Sequence, residues 1–169
     1  MIINDLFLRI LALVPSPNCD TCGDEYDAIV WRDSRAKPTT ADLLAVSAAS
    51  LAKPGKAVEL KSTVSSAIVG GISLTVLGDP HHYPTTAIDQ QNLNGLVTES
   101  LLPGSGDEYK FWCCDGAGVW ARRSHTKVQI HAVGLAVANH VKQQQARYEQ
   151  LLIDLNLAST VDQVDAIVW

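Results

Sequence analysis

The stretch that most constrains this chain runs from Glu108 to about Leu157, where a β-hairpin feeds directly into one long helix. Asp115-Gly116-Ala117-Gly118 supplies the backbone freedom a tight reversal needs, and its flanks hold the aromatic residues that favour strands. Period two sends Tyr109, Phe111 and Cys113 to one face and Lys110, Trp112 and Cys114 to the other. Aromatic residues on both faces predict a strand pair covered on one side by the core and on the other by a helix or a neighbouring chain. Beyond the hairpin the apolar period lengthens. Ile130, Gly134, Val137, Val141, Gln144, Tyr148, Leu151 and Leu155 form a near-heptad seam, and Val128, Ala132, Leu135 and Ala138 widen its first half. Gly134 and Gln144 are poor core residues, so the seam does not itself predict an oligomer, and the polar segment Lys142 to Arg147 is expected to protrude.

The rest of the chain is read from its punctuation. Ile2, Ile3, Leu6, Phe7, Ile10, Leu11 and Leu13 recur at helical spacing over residues 2–14, ended by Pro15 and Pro17, and so much apolar surface must be covered, either by docking on its own domain or by insertion into another subunit. Residues 15–38 are irregular, with a short strand expected around Tyr26 to Trp31. Thr39 or Thr40 caps a helix that Pro54-Gly55 should stop. Residues 57–77 alternate well enough to predict two strands broken near Gly70-Gly71, and the prolines around Asp79 to Pro84 predict a loop. A helix follows from Thr85 or Thr86, with Ile88, Leu93, Leu96, Val97 and Leu101 apolar, and Thr160 with Gln163 opens a last short one. The expected fold is α+β, a small antiparallel sheet of meander plus hairpin packed by helices. It divides into a helical N-terminal arm over residues 1–56, containing the cysteine loop, and a main domain over 57–169.

Composition narrows the function classes. Apolar residues make up 47% of the chain against 18% charged, sticky for a small monomer and suggestive of partner contacts. Eighteen acidic and thirteen basic residues leave a formal charge of −5, and the basic ones are scattered, which argues against nucleic acid. No run reaches the roughly 20 apolar residues of a membrane span, and Asp5 and Arg9 spoil a secretion signal at the N-terminus.

Candidate chemistry is sparse. Free thiols are the default for the cysteines, with Cys19-x-x-Cys22 a candidate disulfide or redox pair; only one such pair exists, and adjacent Cys113 and Cys114 on a strand point to opposite faces, which disfavours a four-cysteine zinc site. His81 and His82 lie in a proline-bounded stretch, and His125, His131 and His140 are spread out with no HExxH pattern. There is no nucleophile elbow, phosphate loop or dinucleotide-binding glycine pattern. No catalytic residue, cofactor or metal is expected.

A family resemblance carries the reading further. Tyr83-Pro84-Thr85, then Asp89-Gln90-Gln91-Asn92-Leu93-Asn94-Gly95, a hairpin containing Trp112, Gln129-Ile130 through His140-Val141, and Ala158-Ser159-Thr160 through Ile167-Val168-Trp169 are similar to an uncharacterised domain family of tailed bacteriophages. The similarity spans roughly residues 60–169, and Tyr26 to Trp31 with Lys37-Pro38-Thr39 looks like the segment that precedes this domain in phage fibre proteins. Members occur at the C-termini of tail-fibre, fibre-assembly and other tail-associated proteins.

The resemblance implies a non-enzymatic structural protein of a phage tail that joins or initiates fibres at the baseplate or tail. It would be made in the host cytoplasm, reside in the virion and contact tail-fibre or baseplate proteins, with an oligomer within the virion compatible with that role. The alternative is a fibre-assembly chaperone, and a weaker one is a small zinc or redox protein using Cys19 and Cys22. Expected partner-contact residues are Ile3, Leu6, Phe7, Ile10 and Leu11 of the arm, with Trp112, Trp120 and Tyr148 of the main domain.

Overall fold

The computed structural model describes residues 1–169 as a mixed helix and sheet fold, with six α-helices, a two-stranded sheet and a four-stranded sheet, both antiparallel. The chain forms two units, Met1–Glu59 with Leu151–Val168, and Leu60–Gln150 with Trp169.

In the first unit, helix α1 (Leu6–Leu13) starts about one turn of sequence later than its apolar run because Asp5 turns left-handed, with φ 58°. Asp5 itself makes no side-chain cap; the Leu6 amide donates to Asp24 Oδ1 at 3.1 Å instead. Ile3, Leu6 and Ile10 are buried against Ile29 and Leu43, with Cys19, Tyr26 and Trp31 packed around them. The expected strand over 26–31 is split into a single 3-10 turn, Tyr26–Ala28, and β2 (Val30–Trp31), which pairs with β1 (Cys19–Asp20). Helix α2 (Thr40–Ala45) begins at a reciprocal Thr39–Asp42 capping box, and Arg9 closes its other end by donating to the Leu43 and Val46 carbonyls at 2.9 Å each. The last helix, α6 (Val161–Asp165), carries the expected Thr160–Gln163 capping box.

Two sequence expectations fail together in α3 (Ala48–Val69). Its start is set by Ser47, whose Oγ accepts from the Ser50 amide at 3.1 Å, so the single helix expected near residues 40–52 is broken in two. It then runs through Pro54-Gly55, which were expected to stop it, and takes in residues 57–66, expected as a strand. Leu60 is shared by an alternating pattern and a helical one. Burial decides between them, since Leu60 and Val64, four apart, are buried while Val58 is exposed. Pro54, the seventh residue of α3, costs the helix one hydrogen bond, and the turns beyond it are anchored by packing.

The second unit is built on a sheet in the order β3-β4-β5-β6, from β3 (Ile72–Leu77), β4 (Asp79–Tyr83), β5 (Tyr109–Cys114) and β6 (Trp120–His125). β4 occupies the segment expected as a loop. Pro80 is tolerated because the β3–β4 register shifts between Leu74 and Leu77, so the ladder is irregular where a proline falls. β5 and β6 form the expected hairpin. Tyr83, Tyr109, Phe111 and Cys113 turn inward against Leu93 of α4 (Ala87–Leu101) and Ile130, Val133 and Val137 of α5 (Lys127–Leu157). Gly134 keeps α4 and α5 close, since a Cβ there would stand 2.9 Å from Val97 Cγ2. The second apolar line of α5 does not widen its packed face: Val128 and Leu135 are 78% and 64% exposed. Ile88 and Leu101, counted in the apolar stripe of α4, are exposed as well.

Candidate interaction site

Period two along the hairpin separates a packed face from an open one. On the packed face Tyr83 and Phe111 stack with ring centroids 6.5 Å apart, and the Tyr83 hydroxyl meets His125 Nε2 at 2.9 Å. His125 Nδ1 lies 2.9 Å from the Arg123 carbonyl, so Nδ1 carries the proton and Tyr83 donates to a neutral imidazole. Burial pushes the His125 pKa down and the Tyr83 and Cys113 values up. This is a satisfied core pair closed to ligands.

The open face carries Trp120 opposite Cys114, Cys114 opposite His82, Trp112 opposite Arg122, and Lys110 opposite Ser124. Trp112 and Trp120 are therefore diagonal neighbours, each about half exposed, at 47% and 49%. His82 meets the Trp120 ring edge-on at 5.9 Å and 88°. The turn below them is rigid. Asp115 Oδ1 accepts from the Val119 amide at 2.9 Å and the Ala117 amide at 3.0 Å, while Oδ2 takes the Arg123 guanidinium at 2.6 Å. The Val119 amide chiefly, with the other donors, holds the Asp115 carboxyl below its ordinary pKa. Gly118, at φ 81°, closes the turn.

Other expected site residues are placed differently. Ile3, Leu6 and Ile10 are fully buried inside the first unit, so they are not available to a partner as the arm reading required; Phe7 stays exposed and Leu11 half-buried. The reason is local: β1, β2 and α2 supply the cover a lone terminal helix lacks. Leu11, with Leu8, Ala12 and residues 50–55 of α3, lines an apolar groove of about 590 Å³ in that unit. Tyr148 is half-buried on α5, well beyond the hairpin residues in sequence. Cys19 and Cys22 are free thiols and not a disulfide, and no third His, Cys, Asp or Glu completes a metal site with them. The Ser100–His131 contact, 2.5 Å, links α4 to α5; Ser100 is buried and donates to the Val97 carbonyl, so it is no exposed nucleophile.

Sequence reasoning missed the cleft beside this face. Asn92 and Leu96 of α4 and Lys110, Phe111, Trp112 and Arg122 of the hairpin enclose about 350 Å³. The signal was present in the parity of Lys110 and Trp112 and in the turn, which sets Arg122 opposite Trp112.

The fold and this face define a small mixed helix and sheet protein with an aromatic, cationic hairpin surface. Residues 51–168 match a family described as a domain of unknown function, DUF4376, and the chain belongs to that family. Neither a curated protein nor a solved structure matches it. No helix is long and apolar enough to cross a membrane.

Proposed function

We propose that this chain is a non-enzymatic structural protein of a bacteriophage tail, joining or initiating fibres at the baseplate or tail and acting by protein contact. The observation that carries the reading is the pair of half-exposed indoles, Trp112 and Trp120, on a hairpin whose turn is fixed by Asp115. Rigid, half-wet aromatic residues lose little conformational freedom on docking and dominate the energy of protein interfaces. The phage assignment itself rests on the sequence resemblance of residues 60–169. Its test is the protein content of purified particles of a phage carrying this chain. Stoichiometric presence is expected, and absence from particles with intact fibres would overturn it.

The apolar groove of the first unit favours a second reading, a fibre-assembly chaperone that shields an apolar segment of a fibre chain and then leaves. Recovery of the chain with unassembled fibre subunits, and its absence from finished particles, would select that reading over the connector.

A further inference from the structure

We propose that the cleft between α4 and the free edge of β5 docks an extended peptide segment whose alternate side chains are acidic. The proposal rests on the reading that this domain works by binding a protein partner, and not on which assembly that partner belongs to.

The edge is open for a covalent reason. β4 pairs with β5 at His82↔Cys114 alone. Continuing that antiparallel register would set residue 84 opposite Trp112, and residue 84 is a proline without an N–H to give. The chain then turns away into α4, leaving the first half of β5 unpaired on that side. Arg122 already marks the gap: its Nη2 reaches across the strand to the Lys110 carbonyl at 3.2 Å, a carbonyl that a neighbouring strand would otherwise use. Unpaired strand edges are templates for strand addition, in which main-chain bonds give affinity and alternate side chains give specificity.

Charge selects the occupant. Lys110 and Arg122 are exposed and line the cleft, and neither takes part in an ion pair. Of the acids that flank them in sequence, Glu108 receives the Ser124 hydroxyl opposite Lys110, and Asp115 holds the turn and Arg123, so neither forms an ion pair with Lys110 or Arg122. Asn92 and Leu96 on the facing helix bring no charge. Two cations beside an open edge call for carboxylates at alternate positions, on the Trp112 side of an added strand, with apolar residues toward Leu96 and Phe111. At about 350 Å³ the space suits a few extended residues.

The experiment titrates the full-length chain with the peptide Ac-EVEVEVE-NH2, read by calorimetry and tryptophan fluorescence. Saturable binding is expected, at least tenfold tighter than that of Ac-KVKVKVK-NH2 and of the acidic peptide methylated at alternate backbone amides. The variant K110Q/R122Q, with an unchanged melting curve, is expected to bind at least tenfold more weakly. No saturable binding, equal binding of the lysine peptide, or no loss in the variant overturns the proposal. Undiminished binding of the methylated peptide overturns strand addition. Competition by AMP or inorganic phosphate at similar concentration makes the cleft a small-anion site and also overturns it. Presence in phage particles without peptide binding leaves the tail assignment standing while removing this one; binding without presence does the reverse.

Discussion

Gly71 joins α3 to β3, and replacing it with alanine tests the packing logic that holds the open face. Its φ of +83° lies where an L side chain is strained by about 1–2 kcal/mol. An added Cβ would also stand 2.2 Å from His82 Nε2 and 2.8 Å from the Tyr83 carbonyl oxygen. The imidazole can swing aside, at the loss of its edge contact with Trp120, about 0.5–1.5 kcal/mol. The Tyr83 carbonyl cannot, because β4 is paired to β3 there, so the ladder must shift at about 1–3 kcal/mol. Gly71→Ala should therefore cost about 2.5–6.5 kcal/mol. Gly118→Ala is the control: φ is +81° but nothing lies within 4 Å of the added Cβ, so only the backbone term of about 1–2 kcal/mol applies. Urea unfolding followed by circular dichroism should separate the two by about 3 kcal/mol, or about 1.5 M in midpoint for a slope near 2 kcal/mol/M. Tryptophan emission should change in native Gly71→Ala alone, since only that variant displaces His82 from Trp120. Equal midpoints would refute the claim that close approach, and not φ, makes glycine necessary at this joint.

Leu6→Ala removes a fully buried side chain from the first unit's cluster and should cost about 2–5 kcal/mol, read as faster amide exchange in β1 and β2 with β5 and β6 unchanged. Gly95→Ala, mid-α4 with nothing within 4 Å of the new Cβ, should stabilise by about 0.5–1 kcal/mol in the same urea assay. Burial lowers the His125 pKa, so between its folded value and about 6.5 the unfolded chain holds the extra proton. Its contribution is fully present above about pH 6.5 and is lost as pH falls through the folded value. The urea midpoint should drop between pH 7.5 and 5.5, with a shallower drop in His125→Phe.

What the sequence made legible was whatever local chemistry fixes alone. The hairpin register followed from the Asp115 turn, and strand parity alone split Cys113 from Cys114. Thr160 with Gln163 named its own helix start. The misses share a cause: a tertiary neighbour outvoted local punctuation. Pro54 stops an isolated helix, yet α3 continues because Leu60 and Val64 are buried one turn apart beyond it. Pro80 argues for a loop, yet an irregular register with β3 admits it to a strand. The apolar run of the arm required that Ile3, Leu6 and Ile10 be covered but did not say by what, because their cover, Ile29 and Leu43, lies far along the chain. The cleft escaped notice because Asn92 and Leu96 reach the hairpin only through the fold.

Net charge misleads here for a related reason. The formal −5 describes the whole chain, yet the second unit holds seven acidic and seven basic side chains, and the excess acid belongs to the first. At physiological ionic strength exposed charges act over about 8 Å, so a ligand in the cleft meets Lys110 and Arg122 and not the sum over the chain. The consequence is a salt dependence opposite in sign to the one net charge implies. Repulsion by an acidic protein would be relieved by salt, and binding of Ac-EVEVEVE-NH2 would strengthen. Attraction to two unpaired cations would be screened, and it should weaken severalfold between 50 and 500 mM sodium chloride. Calorimetry at the two concentrations decides between them, and K110Q/R122Q should flatten the dependence, because what remains to bind the peptide is a strand edge with no charge to screen.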